Sequence, residues 1–110
     1  MTIKNDGVYT TPDTTILTIA TGVVTVTQGF HTIAAESTTT DDLDTINLDS
    51  SLNLGTYRPF LALIGDSGDT ITVKHGTGNI VLNAAADFSL TASKMILLFY
   101  DGSNWHDLGA

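Results

Sequence analysis

Short runs in which Ile, Val, Leu or Phe alternate with Thr recur along this chain, and each is soon broken by Gly, Asp or Asn. A period of two puts the apolar residues on one face of an extended strand and the threonines on the other. Thr is β-branched and half-polar, so it suits the wet face of a sheet. The pattern is clearest in the last third, GDTITVKHGTGNIVLNAAADFSLTASKMILLFYDGSNWHDLG, residues 68–109. No stretch keeps a helical period. Residues 84–94 come nearest, but Asp87 and the alternation of Phe88 and Leu90 argue for a strand.

The 110 residues make room for one domain with its own core. No Cys is present, which excludes disulfides and thiolate metal sites. Twelve acidic residues against four basic ones give a formal charge of −8, the opposite of a nucleic-acid-binding footprint. The opening MTIKNDGVYTTPDTT has no apolar signal-peptide core, and no run is long enough to cross a bilayer as a helix. The expectation is a soluble domain with no nucleic acid and no membrane among its partners.

Residues 1–15 read as an N-terminal arm or a loose tail, and residues 16–110 as the domain. Pro12 limits any ladder in the arm, since it cannot donate. Residues 16–20 and 23–27 flank Thr21-Gly22 and predict a hairpin. A third strand starts at Phe30, a polar loop fills 36–42, and the mixed spacing of Leu43, Ile46 and Leu48 predicts a bulge or irregular segment. Further strands are predicted at 60–64, 70–74, 79–82, 87–91, 95–100 and 105–108. About nine or ten short strands at this spacing predict an all-β fold, a single antiparallel β-sandwich or jelly-roll-like domain with an extended N-terminal arm.

The run Met95, Ile96, Leu97, Leu98, Phe99, Tyr100 is apolar throughout. A strand with one wet face should alternate, so a continuous run predicts cover on both faces. In a domain this small a second subunit can supply the outer cover; the alternatives are a central strand under a loop, or simply a few exposed apolar groups. These six residues and Trp105 are the predicted oligomer contact.

Reactive constellations are weak. Gly65-Asp66-Ser67-Gly68 matches the string around a nucleophilic serine, but it reads as a hairpin turn and no base or orienter is placed by spacing. His31, His75 and His106 lack metal-ligand spacing and read as polar-face or interface residues. Asp41, Asp42, Asp44 and Asp49 lack the alternation and central Gly of a calcium loop. Gly76-Thr77-Gly78 joins two strands, with no following helix to hold a phosphate. Tyr9, Tyr57, Tyr100 and Trp105 are candidates for stacking on sugars, with core or interface packing as the alternative; Tyr100 and Trp105 flank a tight turn and can pair across it. No catalytic residue, cofactor or metal ligand emerges.

Three segments carry a family resemblance: residues 69–80 (DTITVKHGTGNI), the Asp87-Phe88-Ser89-Leu90 strand and the terminal LFYDGSNW hairpin, with DDLDTI at 41–46 as a middle portion. Together they resemble small β-rich virion proteins of tailed bacteriophages, the modules of capsid decoration (cement) proteins, head fibres and tail appendages. The resemblance spans about residues 16–109 and rests on strands and turns rather than reactive groups. It implies a non-enzymatic structural protein, commonly a homotrimer, made in the host cytoplasm and placed on the capsid exterior. Its partners would be the major capsid protein and other copies of itself. An arm formed by Thr2, Ile3, Lys4, Val8, Tyr9 and Pro12 would add a strand to a neighbour's sheet edge. The rival reading is a tail-fibre or head-fibre module that binds host glycans; short length and the absence of a repetitive shaft favour decoration.

Overall fold

The computed structural model describes residues 2–3, 9–52 and 58–108, with backbone alone at 2–3 and 9–10. Every regular element among them is a strand: β1 (Thr2–Ile3), β2 (Tyr9–Thr10), β3 (Thr15–Thr18), β4 (Val23–Val26), β5 (Phe30–Ala34), β6 (Thr40–Leu43), β7 (Thr45–Leu48), β8 (Phe60–Gly65), β9 (Thr70–Val73), β10 (Ile80–Val81), β11 (Phe88–Leu90), β12 (Ile96–Tyr100) and β13 (Trp105–Asp107). The all-β expectation therefore holds.

The expectation of purely antiparallel ladders does not. A six-stranded sheet runs β10-β13-β12-β8-β5-β3, a three-stranded one β11-β9-β6, and β4 pairs with β7. The pairings β3·β5, β5·β8, β4·β7, β6·β9 and β10·β13 are parallel. The reason is that the chain winds. Each pass contributes one strand to each of several faces, and the next pass stacks on it in the same direction, so Thr15 lies beside His31 and His31 beside Leu63. The last passes reverse: β11 runs antiparallel to β9, and β12 to β8 and β13.

Winding also explains two local departures. Thr21 and Gly22 have φ of 51° and 80°, and Ala20 and Val23 exchange hydrogen bonds of 3.0 and 3.1 Å, the geometry of a tight two-residue turn. Yet β3 and β4 belong to different sheets, so this turn is a corner and not the head of a hairpin. Leu43 and Ile46 break alternation for the same reason: Asp44 is a corner between β6 and β7, and both residues point into one core from two sheets.

That core gathers Ile19, Val24, Val26, Ile33, Leu43, Ile46, Leu61, Leu63, Ile71, Val73, Ile80, Leu82, Leu90, Ile96, Leu98 and Trp105. Asn79 and Trp105 tie its faces together. Ile46 N–H donates to Asn79 Oδ1 at 2.9 Å, and Asn79 Nδ2 and Trp105 Nε1 donate to Ile46 C=O at 2.7 and 3.1 Å. The Asn79 amide thus takes the place of the next rung beside β7. Gly78 permits the approach, because a Cβ there would collide with the Asp44 carbonyl and the Thr45 hydroxyl.

Candidate functional site

Alternation divides the six-stranded sheet into two faces. Ile33, Leu61, Leu63, Ile96, Leu98, Ile80 and Trp105 point into the core. The residues between them point outward, and the ladders align them in three rows. Ile16, Thr32 and Ile64 lie side by side, as do Phe30, Ala62 and Leu97, and then Phe60, Phe99, His106 and Val81. Ile16 is 62% exposed, Leu97 47% and Phe60 38%. The Phe60 and Phe99 rings meet at 5.2 Å in a tilted pair. A shallow groove of about 380 Å³ continues this surface past Phe88, Met95, Leu97 and Leu108, with Asp107 also in its lining.

The three rows themselves carry little charge. His106 is the one ionisable group among those ten residues, on a chain of net charge −8. Its Nε2 lies 2.7 Å from Asp101 Oδ2, in the turn between β12 and β13. Asp101 also accepts from the Ser103 and Asn104 N–H groups, and these bonds, before the His106 contact, pull its pKa down to about 2. A contiguous apolar surface of this kind is a candidate contact site.

The predicted contact strand is split by this alternation. Leu97 and Phe99 face outward and Met95 is exposed, so these three remain available to a partner. Ile96, Leu98 and Trp105 are consumed by the chain's own core, which corrects their assignment to an intersubunit contact. Tyr100 is half-buried against Trp105, with ring centroids 4.8 Å apart. Ile16, Phe30, Phe60, Ala62 and Ile64 join the face from strands not singled out in the sequence; the continuous apolar run at 60–64 was the available signal.

The N-terminal arm falls partly outside the described residues, which exclude Lys4 and Val8. The backbone of Thr2 and Ile3 pairs with that of Thr10 and Tyr9, so the opening segment folds back on itself. Pro12 is exposed. Residues 11–14 are held along β5: Gln28 Nε2 donates to Asp13 C=O at 2.6 Å, and the Thr14 and Thr32 hydroxyls are 2.8 Å apart.

The remaining candidates have structural partners. Ser67 sits exposed in a turn closed by Asp69 N–H to Asp66 C=O. His75 Nδ1 accepts from Leu82 N–H at 3.0 Å, and Asp87 accepts from His75 N–H at 2.8 Å while pairing with Lys74 at 3.0 Å. Asp41 accepts from the N–H groups of Glu36 and Asp42. His31 is fully buried: its Nε2 accepts from Thr27 N–H at 3.0 Å, so its proton sits on Nδ1, facing Thr15 C=O at 3.2 Å. Burial lowers its pKa, and the Thr15 bond opposes that shift. Among the described residues no three His, Asp or Glu side chains gather as a metal site, and no helix is long and apolar enough to cross a membrane.

A second cleft of about 300 Å³ lies over Val26, Leu48, Leu61 and Trp105, with Gln28 and Arg58 at its rim. No family model matches the sequence, and no curated protein or solved structure matches it. The class defined by fold and surface is an all-β domain with an open apolar sheet face.

Proposed function

We propose that this chain is a virion structural protein of a tailed bacteriophage, of the capsid-decoration type. It acts as a homotrimer on the capsid exterior, binds the major capsid protein and performs no catalysis. The observation that supports this reading is the outer face of the six-stranded sheet, mostly apolar along three rows, with its carboxylates at the margin, where Asp101 pairs with His106 and Asp107 lines the groove. Identical acidic chains repel each other over most of their surface, and the three rows let them meet with Asp101 and Asp107 kept to the margin of the contact. Six strands at a spacing of about 4.8 Å span roughly 24 Å, the scale of a protein–protein contact patch.

In this reading Met95, Leu97, Phe99 and Phe60 form the contact between copies, and the winding of several sheets round one core supplies the rigid platform. The opening arm, with Thr2, Ile3, Lys4, Val8, Tyr9 and Pro12, reaches a capsid subunit. Three such attachments on one particle bind a lattice far more tightly than one. Because the protein binds only assembled shells, it stabilises them by mass action.

The test is co-sedimentation with expanded capsids of the encoding phage prepared without this protein, followed by a heat challenge. Pelleting with the shells and a raised disruption temperature are expected. Failure to bind shells, together with glycan-array binding, would favour the host-glycan fibre module instead.

A further inference from the structure

At the start of the winding, β3, β4 and β6 each present an outer edge, since no strand precedes them in their sheets. An unpaired edge exposes a row of N–H and C=O groups that invites another strand. Two of these edges are largely capped by the chain itself. On β6, Thr70 N–H donates to Thr39 C=O and Lys74 N–H to Leu43 C=O, so the odd residues face β9 and Thr40 and Asp42 face out. Their N–H groups are taken by Thr38 Oγ1 and Asp41 Oδ1. On β4 the outward N–H groups of Val23 and Thr27 are taken by Ala20 C=O and His31 Nε2, which leaves only Thr25 between them without a partner among the described residues.

The third edge has the longest open stretch, two successive outward residues. Ile19 N–H donates to Ala34 C=O at 3.0 Å, which sets the phase: odd residues of β3 face β5, and even ones face outward. Thr14 N–H is taken by Asp13 Oδ1 at 2.8 Å, and Ala20 N–H by Val23 C=O. Between those caps, the N–H and C=O groups of Ile16 and Thr18 have no partner among the described residues. No charge, proline or bulge protects this stretch of sequence, Thr-Ile-Leu-Thr.

We propose that β3 pairs antiparallel with β3 of a second copy about a two-fold axis through Leu17. In that register Ile16 lies opposite Thr18 of the partner, and Thr18 opposite Ile16 of the partner. Both are hydrogen-bonded pairs, so every open N–H and C=O on the two strands finds a complement. Leu17 meets its own equivalent on the inner side, where it is half-exposed in one copy. Because Ile16 and Thr18 share the outer side, the two six-stranded sheets join with their apolar faces on the same side. This contact is independent of the virion reading and separate from the outer-face contact, since it uses backbone edge groups.

The chain has no Cys, so Leu17→Cys places one thiol per copy beside the dyad. Opposed residues of a non-hydrogen-bonded antiparallel pair have Cα atoms about 4.5 Å apart, within disulfide reach. Mild oxidation at submillimolar protein is expected to yield a covalent dimer of Leu17→Cys, while Ser103→Cys in the exposed β12–β13 turn stays uncrosslinked. The second variant is Thr18→Pro, which deletes an outward N–H and leaves the ladder to β5 intact. Sedimentation should show its particle mass halved against the native chain, with an unchanged circular dichroism spectrum. Equal masses for the native and Thr18→Pro proteins would overturn the proposal. So would crosslinking of Leu17→Cys no greater than that of Ser103→Cys.

Discussion

Replacing Asn79 by Ala tests whether one side-chain amide completes the winding. The substitution removes the bonds from Ile46 N–H and to Ile46 C=O, at 2.9 and 2.7 Å. Ile46 is 1% exposed, so its N–H has no access to water in the native packing. Its C=O keeps the Trp105 indole at 3.1 Å, and so the loss falls mainly on the donor. An orphaned buried donor costs about 1–3 kcal/mol and the second bond a further ~1 kcal/mol, for a destabilisation of about 2–4 kcal/mol. At roughly 4 °C per kcal/mol for a domain near this size, Tm should fall by about 8–16 °C. Urea unfolding followed by Trp105 fluorescence gives the free energy directly, and an unchanged m-value confirms that the native state is compared with like. A loss below about 0.5 kcal/mol, the range of ordinary surface substitutions, would refute the idea that Asn79 substitutes for a rung. Asn79→Asp should be destabilising as well, because it loses the amide donor and sets a carboxylate against the Ile46 carbonyl.

Three further outcomes are expected. Gly78→Ala should lower the urea midpoint, since its Cβ would collide with the Asp44 backbone and the strand would have to move. Stability should fall as pH drops through and below 6.5: the buried His31 has a lowered pKa, so the unfolded chain binds more protons there. Urea midpoints at neutral and mildly acidic pH, compared between the native chain and His31→Gln, measure this dependence. Asp101 titrates near 2 when folded and near 3.8 when free, so its contribution is present above that upper value and is lost as pH falls towards 2. Asp101→Asn should flatten that acid limb in a pH-dependent thermal melt.

Strand type and turn positions were legible in the sequence because both are local. Thr21-Gly22 was readable as a tight turn, but its role as a corner depends on which sheets receive β3 and β4, and no short-range pattern carries that. The spacing of Leu43 and Ile46 mimics a bulge because β6 and β7 belong to two different sheets. The Asn79 bridge to Ile46 spans 33 residues and leaves no periodic trace. The contact surface was legible in part. The apolar run at 95–100 pointed to a strand covered on both sides, and Leu97 and Phe99 do face outward. What stayed hidden was that β5 and β8 would line up beside it, so that Phe30, Phe60 and Ala62 complete the same surface.

Whether the outer face of the six-stranded sheet joins copies of the chain is read from sedimentation velocity of the native protein beside Leu97→Lys, because Leu97 is 47% exposed and its replacement disturbs little of the core. A multi-copy native particle built on a trimer is expected, and a Leu97→Lys protein of smaller mass with the same circular dichroism spectrum. A native chain that sediments as a single copy at every concentration, or a particle whose mass Leu97→Lys leaves unchanged, would contradict it.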